Sequence, residues 1–407
     1  MNLSEVRAAR IVAHSTLDFS PLSDPRSSST LPHAAFFAVM VAGFAAGKLS
    51  PRSLEDFVSS VSSRLKRKLG WPASLSDTSL YELLVRQSED GFRQVLHQQI
   101  RSLWDRKALR HDLSEFGVLS IDGKGAGFGV GAPPNAQCKR GGALSDPFWH
   151  LFILRAVLVS CSAAPVIDQE FLEHKRGEST GFKALFLRAV QQFPKLFKVV
   201  TTDAGMTAAA NAQLVGEHGK HYLFGLKGNQ RALFPLAKSL LQGQPEVART
   251  NEQEQGYRVT RVLRVVACPA TIEFPFARYF WSVMKTKQQG EKITVEERFF
   301  ISSIPAELMD DDERLGLVRM HWRIENGSNW TNDVIFKEDT RVLCSKGDGP
   351  LVQSWVTVLA QNLVGMVRHR LPEKDRHPVA WEVTRSAIFQ AFLTWTSTSI
   401  EPAVCLG

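Results

Sequence analysis

Between residues 117 and 227, β-branched and apolar runs alternate with stretches of helical periodicity, and that alternation leaves few folds open. Residues 117–122 and 148–160 read as strands, and a shorter one follows near 164–167. A helix over 180–193, a strand over 196–203, a helix over 206–217 and a strand over 221–227 come next. Strands followed by strand–helix alternation pack as an α/β sheet with helices on its faces. Two of these strands end in an aspartate, in Leu119-Ser120-Ile121-Asp122-Gly123-Lys124 and in Val199-Val200-Thr201-Thr202-Asp203-Ala204. Each acid is expected at the C-terminal tip of a buried strand.

A third acid belongs with these two. Glu325 lies in His321-Trp322-Arg323-Ile324-Glu325-Asn326, inside a helix expected over 315–336. There Leu317, Met320, Ile324, Val334 and Ile335 approximate an apolar stripe. His321, Glu325, Asn329 and Asp333 stand at steps of four and share another face. Two strand-end aspartates and a helical glutamate can converge on one sheet edge. Carboxylate oxygens are the ligands that hard divalent cations prefer. Two cations held by such a cluster are a common device for in-line displacement at phosphorus. From the helix by itself, the simpler reading is an amphipathic helix whose polar side is solvated.

The chain has 407 residues, is 44% hydrophobic and 22% charged, and carries a net charge of +8. That length supports two or three domains with cores of their own. The positive surplus suits a polyanionic partner without requiring one. Cys138, Cys161, Cys268, Cys344 and Cys405 are odd in number and include no Cys-x-x-Cys pair, which points to a reducing, cytoplasmic setting. Residues 34–47 (AAFFAVMVAGFAAG) are apolar but fall short of the roughly 20 a membrane-spanning helix needs. They read as a buried helix, without the basic lead-in of a signal peptide, and no membrane partner is expected.

Composition divides the chain further. Residues 1–30, rich in Ser, Pro and Asp, are expected to be irregular, and residues 31–112 helical, with helix starts at Ser50-Pro51 and Ser76-Asp77. The run Arg64-Leu65-Lys66-Arg67-Lys68 is by default a solvated helix face, and a DNA contact is its alternative. Residues 113–243 form the first part of the core. The stretch 123–146 reads as a Gly-rich loop, without the ending a phosphate loop requires. Residues 244–303 are a β-rich insertion with strands over 258–267, 279–285 and 292–302. Residues 304–371 return to helix, and 372–407 are a C-terminal tail.

At Glu325 the residues reach a known family. His321-Trp322-Arg323-Ile324-Glu325-Asn326, with Trp330, Asp333-Val334, Phe336 and Glu338-Asp339 after it, resembles the C-terminal signature of bacterial insertion-sequence DDE transposases. Leu226-Lys227-Gly228-Asn229-Gln230 resembles another block of that family. Ile121-Asp122-Gly123-Lys124 and Thr202-Asp203-Ala204 match the settings of its two aspartates. The order also agrees over about residues 35 to 370. Where a neighbouring branch of the family carries Arg and Lys around the glutamate, this chain has His321 and Asn332.

The resemblance implies an RNase H-like mixed sheet flanked by helices, with an N-terminal helical domain and a β-rich insertion. It implies a catalytic, metal-binding triad of Asp122, Asp203 and Glu325. Its cofactor would be two Mg²⁺ ions, with Mn²⁺ as a substitute. Its partner would be double-stranded DNA, both the inverted-repeat ends of the element and the target, and a homodimer on DNA would be the active form. Lys227, Asn229, Arg319, His321, Arg323 and Asn326 are expected near the phosphates. Arg258, Arg261 and Arg264 are expected to clamp DNA from the insertion, while residues 31–112 recognise the ends. A structure-selective nuclease on the same core and a DNA-binding relic without chemistry are the alternatives.

Overall fold

Strand β1 (Val118–Phe128) and strand β5 (Val199–Thr202) run parallel and side by side, with Ser120 opposite Thr201 and Ile121 opposite Thr202. This pairing organises the rest. The computed structural model describes residues 17–26, 32–128, 137–139, 148–173, 177–254, 256–340, 343–369 and 381–394. These divide into two units, one of residues 110–124 and 153–328, the other of residues 1–109, 125–152 and 329–407.

In the unit that carries the β1–β5 pairing, β4 (Val166–Leu172) pairs with β3 (Phe148–Leu158), and the order continues through β1, β5 and β6 (His221–Leu226). β6 is parallel to β5. With β10 (Lys292–Ser302) antiparallel on its far side, this is a mixed sheet, as expected from the sequence. The β-rich insertion does not stand apart from it. β10 pairs antiparallel with β6, and β9 (Tyr279–Gln289), β8 (Tyr257–Ala267) and β7 (Ala248–Glu254) continue the sheet outward as a meander. β7 and the helix over Leu233–Leu241 lie outside the strands and helices expected from the sequence.

Side chains alternate between the faces of a strand, and register partners on neighbouring strands share a face. Ile121, Thr202 and Phe224 are in register and mark one face. Helix α6 (Glu178–Gln192) covers it, with Phe182 edge-on to Phe224 and stacked on Phe186. Phe182, Leu185, Phe186 and Ala189 recur at helical spacing and are fully buried. Each large side chain among them contributes about 1.5–3 kcal/mol. Ser120, Thr201 and Leu223 are in register on the opposite face, where His321 docks.

His321 closes helix α9 (Asp311–His321), which begins with a capping box. Asp310 accepts from the Glu313 N–H at 2.8 Å, and Glu313 accepts from the Asp310 N–H at 2.8 Å. The single helix expected over 315–336 is therefore interrupted. Beyond α9 the chain winds as a π-helix over Ile324–Asn329 and again over Thr331–Ile335. π turns are rare and recur at functional sites. They also displace the expected apolar stripe. Val334 is 40% exposed, as is Trp330 at 46%.

The second unit contains the helices His33–Ala45, Pro51–Ser60, Ser63–Leu69, Asp77–Arg86 and Phe92–Asp105, then Gly349–His369 and Trp381–Thr394. The apolar run at its start is buried on nearly every side, through Phe36, Phe37, Val39, Met40 and Val41. Ser50 and Ser76 cap their helices, accepting from the Ser53 and Ser79 N–H groups. The last helix lies within the expected C-terminal tail. It buries Arg385, whose guanidinium donates to the Ile335 carbonyl at 2.7 Å and the Phe44 carbonyl at 3.3 Å. Residues 129–136 and 140–147 of the expected Gly-rich loop lie outside the described residues.

Candidate active site

Asp122 is the first residue beyond the stretch where β1 pairs with β5, and Asp203 directly follows the last residue of β5. The register that sets Ile121 beside Thr202 therefore brings the next residues, the two acids, to one edge of the sheet. The carboxyl ends of parallel strands are where sites form in open α/β sheets. Asp122 differs from expectation in one respect. It is not at a strand tip, because β1 continues to Phe128. Each acid is held by a backbone donor. The Gly123 N–H donates to Asp122 at 2.9 Å, and the Gly205 N–H donates to Asp203 at 2.9 Å.

Burial pushes the Asp122 carboxyl up to about 7, and the nearby charges of Asp203, Glu325 and Glu178 push in the same direction. Asp203, Glu325 and Glu178 thus lie within electrostatic reach of Asp122. Glu325 approaches from the His321 face and is exposed. Glu178 starts the helix on the other face. A β-carbon on Gly123 would lie 2.7 Å from its Oε1, and one on Gly205 would lie 2.7 Å from its Oε2 and 3.1 Å from Asp203 Oδ1. A fourth carboxylate thus passes between the two glycines that follow the aspartates. In the sequence Glu178 looks like any acid that favours a helix N-terminus.

All-oxygen, carboxylate-rich and open on one side, this donor set fits Mg²⁺ or Mn²⁺ better than a softer ion. Asp122, Asp203 and Glu325 would hold such ions, with Glu178 beside them. Among the described residues, no three His, Cys, Asp or Glu side chains are already gathered closely enough to chelate one ion.

Four residues expected at the phosphates have other tasks. His321 is 4% exposed, and burial first, then the charges of Arg298 and Lys227, lower its pKa to about 4. It is neutral at pH 7. Arg323 donates to the carbonyls of Val159 at 2.6 Å, Cys161 at 3.1 Å and Ser162 at 2.9 Å, closing the end of β3. Arg319 makes a two-pronged pair with Glu252 of β7, at 2.6 and 2.9 Å. Asn229 donates to the Ala204 carbonyl at 2.8 Å, and Gln230 donates to the same oxygen at 2.6 Å. The Lys-Gly-Asn-Gln block thereby fastens the loop that carries Asp203. The side chain of Asn326 lies outside the described residues.

The insertion divides similarly. Arg258 is exposed, but Arg261 is 4% exposed and paired with Glu252 and Glu254, at 3.2 and 2.5 Å. Arg264 donates to the Gln244 carbonyl at 3.1 Å. A strand turns alternate residues inward, so an Arg run spaced by three cannot present every member to one side. Lys227 is exposed and near enough to His321 for its charge to be felt there. In the N-terminal basic run, Lys66 turns inward to the Ala73 carbonyl at 2.7 Å, while Arg64, Arg67 and Lys68 are exposed. Trp322 is a packing residue, with the Arg298 guanidinium 4.9 Å above its ring.

Comparison with known proteins defines the class to which this chain belongs. A family model described as a transposase DDE domain matches residues 139–363, more than half of the chain. The chain belongs to the DDE transposase domain family. It is 29% identical over 160 residues to two Escherichia coli K12 proteins, YbfL and the H repeat-associated YhhI, the latter named as a candidate transposase. Those matches cover 35% of this chain and 41% of each relative. A piggyBac transposase synaptic complex with hairpin DNA, solved by cryo-EM, is similar with 12% identity and a TM-score of 0.42. That match covers 96% of this chain and 80% of the other. Among the described residues, no helix is long and apolar enough to cross a membrane.

Proposed function

We propose that this chain is the transposase of a bacterial insertion sequence, binding the element's terminal inverted repeats and carrying out metal-dependent strand cleavage and strand transfer on double-stranded DNA. The observation that supports this most is the β1–β5 register, which aligns Asp122 with Asp203 while Glu325 and Glu178 reach the same edge from opposite faces. Divalent cations held there would favour the deprotonated attacking hydroxyl and neutralise charge on the leaving oxygen. Asp122, Asp203 and Glu325 supply the anionic oxygens. Lys227 and Arg258, both exposed, are the proposed phosphate contacts, which would place DNA without reading its sequence. Arg64, Arg67 and Lys68 belong to the helical region proposed to recognise the ends, and a dimer on DNA is the proposed active form.

The test uses the full chain and a duplex bearing the element's end. With Mg²⁺, cleavage is expected at the element boundary; EDTA should abolish it and Mn²⁺ restore it. Equal cutting of junctions or hybrids without end sequence would instead favour the nuclease reading. Binding with no cleavage under any cation would favour the relic.

A pH dependence follows from Asp122. Because its carboxyl is held up to about 7, cation binding below that pH must displace a proton. Apparent Mn²⁺ affinity, measured by titration calorimetry, should rise roughly tenfold per pH unit between pH 5.5 and 7 and level off above. A flat profile over that range would remove Asp122 from the ligand set.

A further inference from the structure

Ser120 and Thr201 are register partners on β1 and β5, and both are fully buried. His321 lies against the pair. Its Nδ1 is 3.2 Å from Thr201 Oγ1 and 3.5 Å from Ser120 Oγ, and its ring is edge-on to Phe300 with centroids 6.2 Å apart. A hydroxyl can donate or accept, so a neutral imidazole nitrogen finds a partner here in either tautomer.

The spacing beyond these three residues matters. Asp122 and Asp203 follow Ser120 and Thr201 by two positions, on the same side of their strands. Glu325 follows His321 by four. Between His321 and Glu325 the backbone leaves α9 and enters the first π turn, so the point at which His321 is bound to the strands fixes where that turn starts.

We infer that His321 is a positioning residue whose contact with Ser120 and Thr201 sets the longitudinal register of the glutamate helix against the two aspartate strands. Arg319, bound to Glu252, and Arg323, bound to the Val159, Cys161 and Ser162 carbonyls, hold the same segment to other elements; of the three, His321 is the one bound to the aspartate strands themselves. The π winding that begins at Ile324 comes after this fixed point, so the wider turns extend from an anchored end.

The inference rests on the reading of Glu325 as catalytic, and the experiment separates the two. End cleavage and end binding are measured with full-length protein, well below its melting temperature, for His321→Leu, His321→Asn, Thr201→Val, the His321→Leu/Thr201→Val double variant and Glu325→Gln. A misplacement of about 1 Å costs on the order of 10²-fold in rate, so His321→Leu should lose about that factor in kcat with Kd for the end duplex unchanged. The asparagine amide reaches the place of Nδ1, and His321→Asn should recover most of the rate. Thr201→Val should lose rate in the same direction, and the double variant should be no slower than His321→Leu. Wild-type cleavage in Thr201→Val, or in His321→Leu if it folds, with Glu325→Gln inactive, overturns the register role alone. Cleavage retained by Glu325→Gln overturns both readings.

Discussion

Glu325→Gln is expected to lower the rate of end cleavage by about 10³-fold or more, a loss of roughly 4 kcal/mol in transition-state stabilisation. The substitution keeps the size of the side chain and removes the charge a divalent cation requires. Glu325 is exposed, so the fold should be little affected, within about 0.5 kcal/mol. DNA affinity comes mainly from cation–phosphate contacts that fall with salt, and none of those cations is altered. A gel shift on an end duplex, run at two salt concentrations, should therefore give wild-type affinity and slope beside a blank cleavage lane. Cleavage at the wild-type rate would dismiss Glu325 from the chemistry. A loss of binding in parallel with cleavage would mean that the residue supports DNA contact instead.

Asp122→Asn should have the opposite effect on stability from its effect on activity. The Asp122 carboxyl titrates near 7 rather than 3.8 because burial and the charges of Asp203, Glu325 and Glu178 disfavour its ionised form. Below about pH 4 the folded and unfolded chains both carry the proton, and no stability is lost. Between pH 4 and 7 the folded chain binds more protons, so metal-free stability falls as pH rises, and above 7 the full cost is present. The interval corresponds to at most about 4 kcal/mol. An asparagine keeps an acceptor for the Gly123 N–H and carries no charge. At pH 8 in EDTA the variant should melt several degrees above the wild type; at pH 4.5 the gap should nearly close. Mg²⁺ should raise the wild type and leave the variant unmoved. A variant that melts lower than the wild type at pH 8 would show that the acids are not electrostatically strained.

A strand has a period of two, which made β1 and β5 legible, but only Asp203 stands at a strand end; β1 runs on past Asp122 to Phe128. Val199–Thr202 is short, apolar and β-branched, and Asp203 follows it at once. The strands of the insertion were legible for the same reason, except β7. After Ala248 its residues alternate exposed positions with half-buried polar ones, Thr250, Glu252 and Glu254, and the two glutamates pair with Arg261. The cations were the least legible. Arg261, Arg319, Arg323 and Lys66 look in sequence like solvated charge. Arg319 and Arg323 are engaged by a carboxylate and carbonyls distant in the chain, and Arg261 and Lys66 by groups seven to nine residues away. His321 was placed with them because its four-residue spacing from Glu325 marks a shared helix face, and spacing does not say which face meets the sheet. Glu178 carried no mark at all. It is tied to the site by two glycines that lack β-carbons, and that is a property of the fold.

The meander formed by the insertion ends in a hairpin whose tip is exposed from Lys287 to Glu297, turning at Gly290 with a φ of +58°. The insertion contacts the segment that leads to Glu325 through residues outside that tip, Glu252 with Arg319 and Arg298 over Trp322. Over evolutionary time this separates two kinds of change. Relatives are expected to gain and lose residues in pairs at the hairpin tip, preserving strand alternation, and to exchange its exposed Ile293 and Val295 freely. The distance in sequence from Asp203 to Glu325 should consequently vary widely among functional copies, while the few residues from Asp310 to Glu325 keep a constant length.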